Sequence, residues 1–258
     1  MTPDQAYANS AFIPDGERFY AMWEAKAAAF RSGQSQTRFS EQGEIYAPKG
    51  QLRGTVVFVH GGYWLAGSPS MFSHLAAGAL AAGYAFALPS YTLAPDARIR
   101  DMTQQIAGRI GEIAGAMDGP LYLVGHSAGG HLVARMACAD MKADWAGRVH
   151  RIMAISPLSD LAPLMETSMN STLRIDAAEA LAESPVHHTP QDIPVTAWVG
   201  GGERPAFLDQ AKWLYDAWGC DFTVEGEKHH FDVIEGLEDP TSAMMRALLR
   251  EPQTRQHR

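Results

Sequence analysis

Five short apolar runs, separated by longer helix-forming segments, constrain the fold of this chain more than any other feature of its sequence. The runs lack polar alternation, which is typical of strands buried on both faces of a parallel sheet. The segments between them have helical periodicity or helix-forming composition, so they predict crossover helices that cover those faces. We therefore expect an α/β protein with a mostly parallel central sheet and helices on both faces. The predicted strands are 55–60, 84–89, 121–125, 152–156 and 195–200, and the predicted helices are 72–82, 99–117, 131–141, 207–218 and 241–249.

Two stretches, about 1–31 and 157–194, do not fit this alternation. No linker or internal repeat interrupts the 258 residues, so we expect one domain, 1–258, in which both stretches are cap elements. The second stretch has a helix-forming part at 176–183 but no strong strand. It therefore predicts a small helical cap over the C-terminal edge of the sheet, where open α/β sheets bind ligands.

Composition excludes several classes of partner. The net charge of -8 argues against nucleic acid, which attracts basic surfaces. The longest apolar stretches, such as 75–88, are broken by glycine and histidine and fall short of the roughly 20 residues that a membrane span needs. The N-terminus lacks basic residues followed by an apolar run, so we expect no secretory signal and a cytoplasmic location. Cys138 and Cys220 have no C-x-x-C spacing, which favours free thiols.

The strongest local motif is Gly125-His126-Ser127-Ala128-Gly129, a G-x-S-x-G sequence between a predicted strand and a predicted helix. So tight a turn needs small flanking residues, and it places the serine hydroxyl at a helix N-terminus. There the helix dipole and the free amides favour a developing negative charge. Ser127 is the candidate nucleophile, and the Ala128 amide is a candidate oxyanion donor.

A second motif, His60-Gly61-Gly62-Tyr63-Trp64, follows another predicted strand. Its glycine pair allows backbone amides to approach a ligand without obstruction by side chains. The motif resembles the oxyanion-hole loop of H-G-G-G hydrolases, whose donors are the third and fourth residues. That resemblance implies that the Gly62 and Tyr63 amides are donors. Together with the serine turn, it indicates the α/β-hydrolase fold.

In that fold the nucleophile is followed along the chain by an acid and then by a histidine. The late histidines are His229 and His230. We favour His230 as the general base, because Phe231 follows it as in hydrolases with a His-Phe pair after the last strand; His229 is the alternative. Glu203, in the loop after the fifth predicted strand, is the candidate acid. Asp160 is its rival, although it fits equally well as a helix cap.

Metal and cofactor chemistry find no support in the sequence. There is no H-E-x-x-H pattern, and no histidines and carboxylates stand at ligand spacing. No Gly-Lys-Ser or Gly-Lys-Thr follows the elbow glycines, so a phosphate loop is not predicted either. We expect neither a metal nor a cofactor, and a small molecule as the partner.

The chain resembles the serine-hydrolase type of kynurenine formamidase, or arylformamidase, which is related to hormone-sensitive-lipase-like esterases. The motif at 60–64 has the H-G-G-x-W form typical of that family, and the segments at 7–9, 91–95, 167–170 and 177–185 are similar to it as well. The resemblance implies hydrolysis of an N-formyl aryl amide, with substrate contacts from Trp64 and Asn170. We expect Trp64 to close the acyl side of the site. The departure is Glu203-Arg204-Pro205-Ala206-Phe207, where the family usually has Asp-Ser-Pro-Glu-Phe.

Three functions stay open from the sequence. The first is an arylformamidase that acts on N-formylkynurenine or a similar aryl formamide. The second is a carboxylesterase or thioesterase for short acyl groups. The third is a non-catalytic binding module on a hydrolase scaffold, which is disfavoured because every triad position and the oxyanion loop are filled.

Overall fold

The computed structural model describes residues 1–34, 37–40 and 43–250. Its strands are β1 (Thr37–Ser40), β2 (Gly43–Tyr46), β3 (Thr55–Val59), β4 (Ala85–Pro89), β5 (Leu121–His126), β6 (Val149–Ile155), β7 (Val195–Gly200) and β8 (Asp221–Glu225). They form one eight-stranded sheet in the order β1-β2-β4-β3-β5-β6-β7-β8. The pairs β1-β2 and β2-β4 are antiparallel, and all other neighbours are parallel.

The helices lie on both faces of this sheet. They are α1 (Pro3–Tyr7), α2 (Arg18–Ser32), α3 (Ala76–Ala81), α4 (Ile99–Ala116), α5 (Ala128–Met136), α6 (Asn170–Leu173), α7 (Ala177–Glu183), α8 (Pro205–Trp218) and α9 (Ala243–Leu248). Apolar residues of α4, α5 and α8 form the core on one face, and those of α2, α3 and α9 form the core on the other.

Strand β3 shows why the central strands are uninterrupted apolar runs. Val57 and Val59 enter one core, while Val56 and Phe58 enter the other, and all four side chains are buried. Burying one such side chain stabilises the fold by about 1.5–3 kcal/mol, so both faces of the strand favour the apolar sequence. The predicted α/β-hydrolase architecture, with a mostly parallel sheet between helices, is confirmed.

The structure differs from the prediction at the edges of the sheet. Strands β1, β2 and β8 were not predicted, and β8 is the clearest case because none of its five residues is buried. An edge strand covered on few sides needs no apolar run, so the pattern that identified the central strands is missing there. The predicted helix 72–82 is a 3₁₀ segment, Pro69–Leu75, followed by α3.

The two stretches outside the alternation contain helical segments and no strand of the sheet. The first contains α1 and α2, and Trp23 of α2 lies in the core. The second contains α6, α7 and short 3₁₀ turns, and α7 begins where the Asp176 side chain accepts a hydrogen bond from the Glu179 amide. Within the described residues, no helix is long and apolar enough to cross a bilayer. Cys138 and Cys220 are free thiols, as predicted.

Candidate active site

Ser127 lies at the sharp turn between β5 and α5, with φ 57° and ψ -117°. A non-glycine residue seldom adopts positive φ, and such strain is concentrated at functional sites. The neighbouring backbone leaves no room for side chains at the flanks of the turn. A Cβ atom on Gly125 would lie 2.1 Å from the carbonyl oxygen of Gly129, and one on Gly129 would lie 2.0 Å from that of Val59. Gly125 is therefore required for the close return of the chain at the start of α5, and Gly129 for the contact of α5 with β3.

We predict opposite effects for two glycine-to-alanine substitutions in helices. Gly129→Ala should lower the free energy of unfolding by about 3 kcal/mol or more, because the new methyl group overlaps backbone that cannot move aside. Gly108→Ala in α4 is the matched control, since its Cβ atom would meet nothing within 4 Å. It should raise the free energy of unfolding by about 0.5–1 kcal/mol. Urea unfolding of both variants checks this, and equal stabilities would contradict the account of the turn.

His230 and Glu203 form a buried pair next to this turn. The Nδ1 atom of His230 lies 2.6 Å from Oε2 of Glu203, and both side chains are almost completely buried. The other carboxylate oxygen accepts hydrogen bonds from the Gly200 amide, at 2.9 Å, and from the Ser156 hydroxyl. Because the carboxylate accepts a hydrogen bond from Nδ1, the imidazole keeps Nε2 free to accept a proton.

Two rings hold the imidazole of His230 in place. The ring centroid of Phe207 lies 4.2 Å from it, and that of His126 lies 4.6 Å from it. Burial, and then the proximity of His230, holds the pKa of His126 well below its usual range. His126 is therefore neutral and places no second positive charge next to His230.

The rival candidates lie in other local structures. Asp160 uses Oδ1 to accept a hydrogen bond from the Ala162 amide at 2.9 Å, which caps the turn that follows it. His229 uses Nδ1 to accept a hydrogen bond from the Phe231 amide at 3.1 Å. The structure thus pairs His230 with Glu203 and shows Asp160 and His229 in turn-forming roles.

The glycine-rich loop after β3 contains backbone amides with no hydrogen-bond acceptor among the described residues. Gly62 has φ 111° and Tyr63 has φ 54°, and a Cβ atom on Gly62 would lie 2.2 Å from the carbonyl oxygen of Ala66. No described residue accepts a hydrogen bond from the amide of Gly62 or Tyr63. Ala128 is the first residue of α5, where helix amides have no intrahelical partner. These backbone groups have the character that an anion site requires.

Ser127, His230, Gly62 and Tyr63 line one cavity of about 320 Å³. One side of the cavity is formed by the rings of Tyr20, Trp23, Phe72 and Phe231, which we name the aromatic wall. These rings contact one another edge-on or at a tilt. None of the described residues that line the cavity is a lysine or an arginine.

The N-terminal stretch and the 157–194 stretch meet at this cavity. Asp4 lines it and accepts hydrogen bonds from the amide of Ser168, at 2.7 Å, and from its hydroxyl, at 2.9 Å. Ser168 and Met169 are the residues of the 157–194 stretch that line the cavity. The N-terminal stretch contributes more of the lining, and it does so through residues that sequence reasoning did not assign to the site.

Two residues expected to contact substrate lie elsewhere. Trp64 is fully buried in the core, edge-on to His131, and it is not part of the cavity lining, so the hypothesis that it closes the acyl side is not supported. Asn170 donates hydrogen bonds to the carbonyl groups of Met165 and Ile175 and accepts one from the Ile175 amide. Trp64 thus packs in the core, and Asn170 bonds to neighbouring backbone, so neither side chain lines the cavity.

Sequence reasoning missed Ser156 entirely. This buried residue follows β6 directly, has φ 47°, and donates its hydroxyl hydrogen to Glu203. The available signal was its position: a serine at the carboxyl end of a buried strand, next to the strand that leads to Glu203. Its side chain supports the carboxylate that orients His230.

The fold and the site geometry together define a class of protein. The family model described as "Alpha/beta hydrolase family" matches residues 56–251. The chain belongs to the α/β hydrolase family and is a hydrolase.

Two kynurenine formamidases from fish are similar to this chain over most of its length. Kynurenine formamidase of Danio rerio is 26% identical over 256 residues, covering 88% of this chain and 87% of that protein. The enzyme of Salmo salar is 27% identical over 214 residues, covering 76% and 71%. The resemblance to kynurenine formamidases that the motifs indicate is thereby confirmed.

Solved structures show two degrees of similarity. A protein from Silicibacter sp. TM1040, provisionally described as a thioesterase, is 47% identical, with a TM-score of 0.93 over 96% of this chain and 99% of that one. An esterase from Pyrobaculum calidifontis is 16% identical, with a TM-score of 0.71 over 94% and 90% of the two chains. The second similarity concerns the fold alone.

Proposed function

We propose that this chain is a serine hydrolase that removes the formyl group from aryl formamides such as N-formylkynurenine. The observation that carries the proposal is the shared cavity: the elbow serine, the His230 imidazole and the unpaired loop amides border one small space with the aromatic wall on its side. A nucleophile, a base and anion donors thus face the same place where an aromatic leaving group fits.

The mechanism follows from the position of each group. Ser127 Oγ attacks the formyl carbon while His230 Nε2 takes its proton, and Glu203 stabilises the resulting imidazolium. The amides of Gly62, Tyr63 and Ala128 hold the oxyanion. When the C–N bond breaks, His230 returns the proton to the leaving nitrogen, because an arylamide anion is a poor leaving group. Water, deprotonated by His230, then releases formate from Ser127.

The size and charge of the cavity favour a compact aromatic substrate. Its volume of about 320 Å³ is at the lower end of the roughly 300–1,000 Å³ typical of ligand sites. The aromatic wall supplies ring contacts for an aryl group. No lysine or arginine is among the described residues that line the cavity, which suits the uncharged aryl formamide group.

A short-chain carboxylesterase or thioesterase is the second candidate. The 47% identical relative that is provisionally described as a thioesterase favours it. The same triad attacks ester, thioester and amide carbonyl groups, so the triad does not discriminate between them. The discrimination therefore depends on the acyl and leaving groups that the cavity admits.

We predict that kcat/KM falls at least tenfold as the acyl group lengthens from formyl to butyryl on one aryl leaving group. A longer acyl chain in this small cavity displaces the carbonyl group from the oxyanion donors, and small displacements have large kinetic effects. The measurement is this acyl series, run beside N-formylkynurenine, p-nitrophenyl esters and acetyl-coenzyme A. A maximum at butyryl, or turnover of acetyl-coenzyme A without formamide hydrolysis, would identify the second candidate instead.

A pair of tyrosine variants tests the aromatic wall in the same assay. Tyr20 lines the cavity and is 42% exposed, whereas Tyr215 lies outside it and is 41% exposed. Tyr20→Ala should raise KM for the aryl formamide severalfold with little change in kcat, since the ring contributes to binding alone. Tyr215→Ala is the matched control and should leave both constants unchanged.

A further inference from the structure

The side chain of Tyr63 is attached to the N-terminal stretch by two hydrogen bonds. The Tyr63 hydroxyl group donates to the carbonyl oxygen of Tyr7, and the Tyr63 hydroxyl oxygen accepts a hydrogen bond from Asn9 Nδ2 at 3.3 Å. Tyr63 itself belongs to the loop after β3 and has φ 54°, in the left-handed region that residues other than glycine seldom adopt. Contacts that reach this side chain from outside the loop therefore help to hold that backbone.

The chemistry of the groups fixes the direction of these hydrogen bonds. A carbonyl oxygen only accepts, so the hydroxyl hydrogen of Tyr63 points to Tyr7. The Tyr63 oxygen is then the acceptor, and Asn9 must turn its amide nitrogen towards it. This orientation leaves the buried Oδ1 atom of Asn9 without a hydrogen-bond partner among the described residues. The hydrogen bond to the Tyr63 oxygen therefore sets the orientation of the Asn9 amide.

The N-terminal stretch is in turn fixed to helix α8. Gln210, which is fully buried on α8, donates a hydrogen bond from Nε2 to the Tyr7 hydroxyl at 2.9 Å. The Tyr7 ring also contacts Phe207 edge-on, with the ring centroids 5.8 Å apart. Phe207 is the residue that packs on the imidazole of His230. One set of contacts therefore connects the loop after β3 to helix α8, whose Phe207 packs on the base.

We infer that Tyr7 and Asn9 are positioning residues of the oxyanion hole, which hold Tyr63 so that its amide points at the developing charge. The inference rests on the proposed function, in which the Gly62 and Tyr63 amides hold the oxyanion. Oxyanion donors act only when they are fixed in advance at the place where the charge develops. Loss of the Tyr63 anchor should therefore affect the transition state more than the bound substrate.

The test compares Tyr63→Phe, Asn9→Ala and the double variant in the full-length protein. Removing an oxyanion donor outright reduces kcat about 10²–10³-fold, so releasing its anchor should reduce kcat by roughly tenfold. KM for p-nitrophenyl acetate should stay within about twofold. Binding of an aryl trifluoromethyl ketone, whose adduct with the serine carries an oxyanion, should weaken by the same factor as kcat, because both depend on the same amides.

The double variant shows whether Asn9 affects kcat through the Tyr63 hydroxyl or independently of it. If Asn9 acts through the Tyr63 hydroxyl, then Asn9→Ala should have little further effect in the Tyr63→Phe background. Tyr46→Phe is the matched control, since it also removes a buried phenol hydroxyl that donates a hydrogen bond, in this case to Glu44. It should leave kcat and trifluoromethyl ketone binding unchanged.

Two outcomes would overturn the inference. One is an additive effect of the two substitutions; the other is a change confined to KM with unaltered trifluoromethyl ketone binding. If Tyr63→Phe does not fold, Asn9→Ala alone decides the question through the same comparison of kcat with inhibitor binding. Failure of the proposed function has a different signature: the wild type would then hydrolyse no aryl formamide, whereas the comparison of kcat with inhibitor binding uses p-nitrophenyl acetate and does not depend on formamide turnover.

Discussion

Ser127→Ala is expected to lower kcat by roughly five to six orders of magnitude and to leave the fold intact. The serine oxygen forms the covalent bond to the acyl group, and no other group in the cavity replaces it. The residual rate over water would come from the oxyanion donors and from substrate binding. The substitution removes only the hydroxyl oxygen, and the turn already accommodates the Cβ atom of serine, so alanine should fit without strain.

The measurement is steady-state turnover of the best substrate, together with the melting temperature of the variant. A fluorophosphonate should label the wild type on Ser127, as located by mass spectrometry, and should not label the variant. Ser10→Ala is the matched control, because Ser10 also lines the cavity but lies outside the elbow. It should change kcat by no more than a few fold. Full activity of Ser127→Ala would refute the assignment of the nucleophile.

Glu203→Gln is expected to lower kcat by about 10⁴-fold with little change in KM, on the scale of the same change in a serine protease triad. An amide cannot stabilise the imidazolium charge. Its NH₂ group can also donate to Nδ1, which moves the imidazole proton to Nε2 and removes the base. The substitution keeps the volume of a side chain that is completely buried, so loss of packing contributes little.

Asp160→Asn is the comparison that decides between the two acids. Asparagine retains the oxygen that accepts the hydrogen bond from the Ala162 amide, so the turn should stay intact. We expect kcat to change by less than about threefold, because His230 is paired with Glu203 and not with Asp160. Steady-state kinetics of both variants with one substrate is the measurement. A mild Glu203→Gln variant and a damaged Asp160→Asn variant would reverse the assignment.

The parts of the fold that the sequence predicts are those with a local cause. The central strands are readable because both faces are buried, and the elbow is readable because a tight turn demands Gly125 and Gly129 within five positions. The pairing of His230 with Glu203 spans 27 positions, and β8 before His230 was not predicted. Both residues were identified from the order of acid and histidine in the fold and from the His-Phe pair.

The parts that the sequence does not predict depend on contacts between distant segments. Asn9 reaches Tyr63 across 54 positions, and Asp4 reaches Ser168 across 164, with no periodic pattern to indicate either contact. Trp64 shows the converse problem. Its motif predicts that it lies near the site, but the direction of its ring follows from packing against His131, which no motif encodes.

The double support of the Glu203 carboxylate limits how this site can diverge. One oxygen faces His230, and the other accepts hydrogen bonds from Ser156 and the Gly200 amide. The length of the acid side chain therefore matches the distance from the backbone of residue 203 to these partners. An aspartate, one methylene shorter, cannot span that distance from the same backbone. Exchange between glutamate and aspartate here therefore requires a compensating change at position 156 or in the loop after β7. A single exchange of this acid is therefore expected to impair the site.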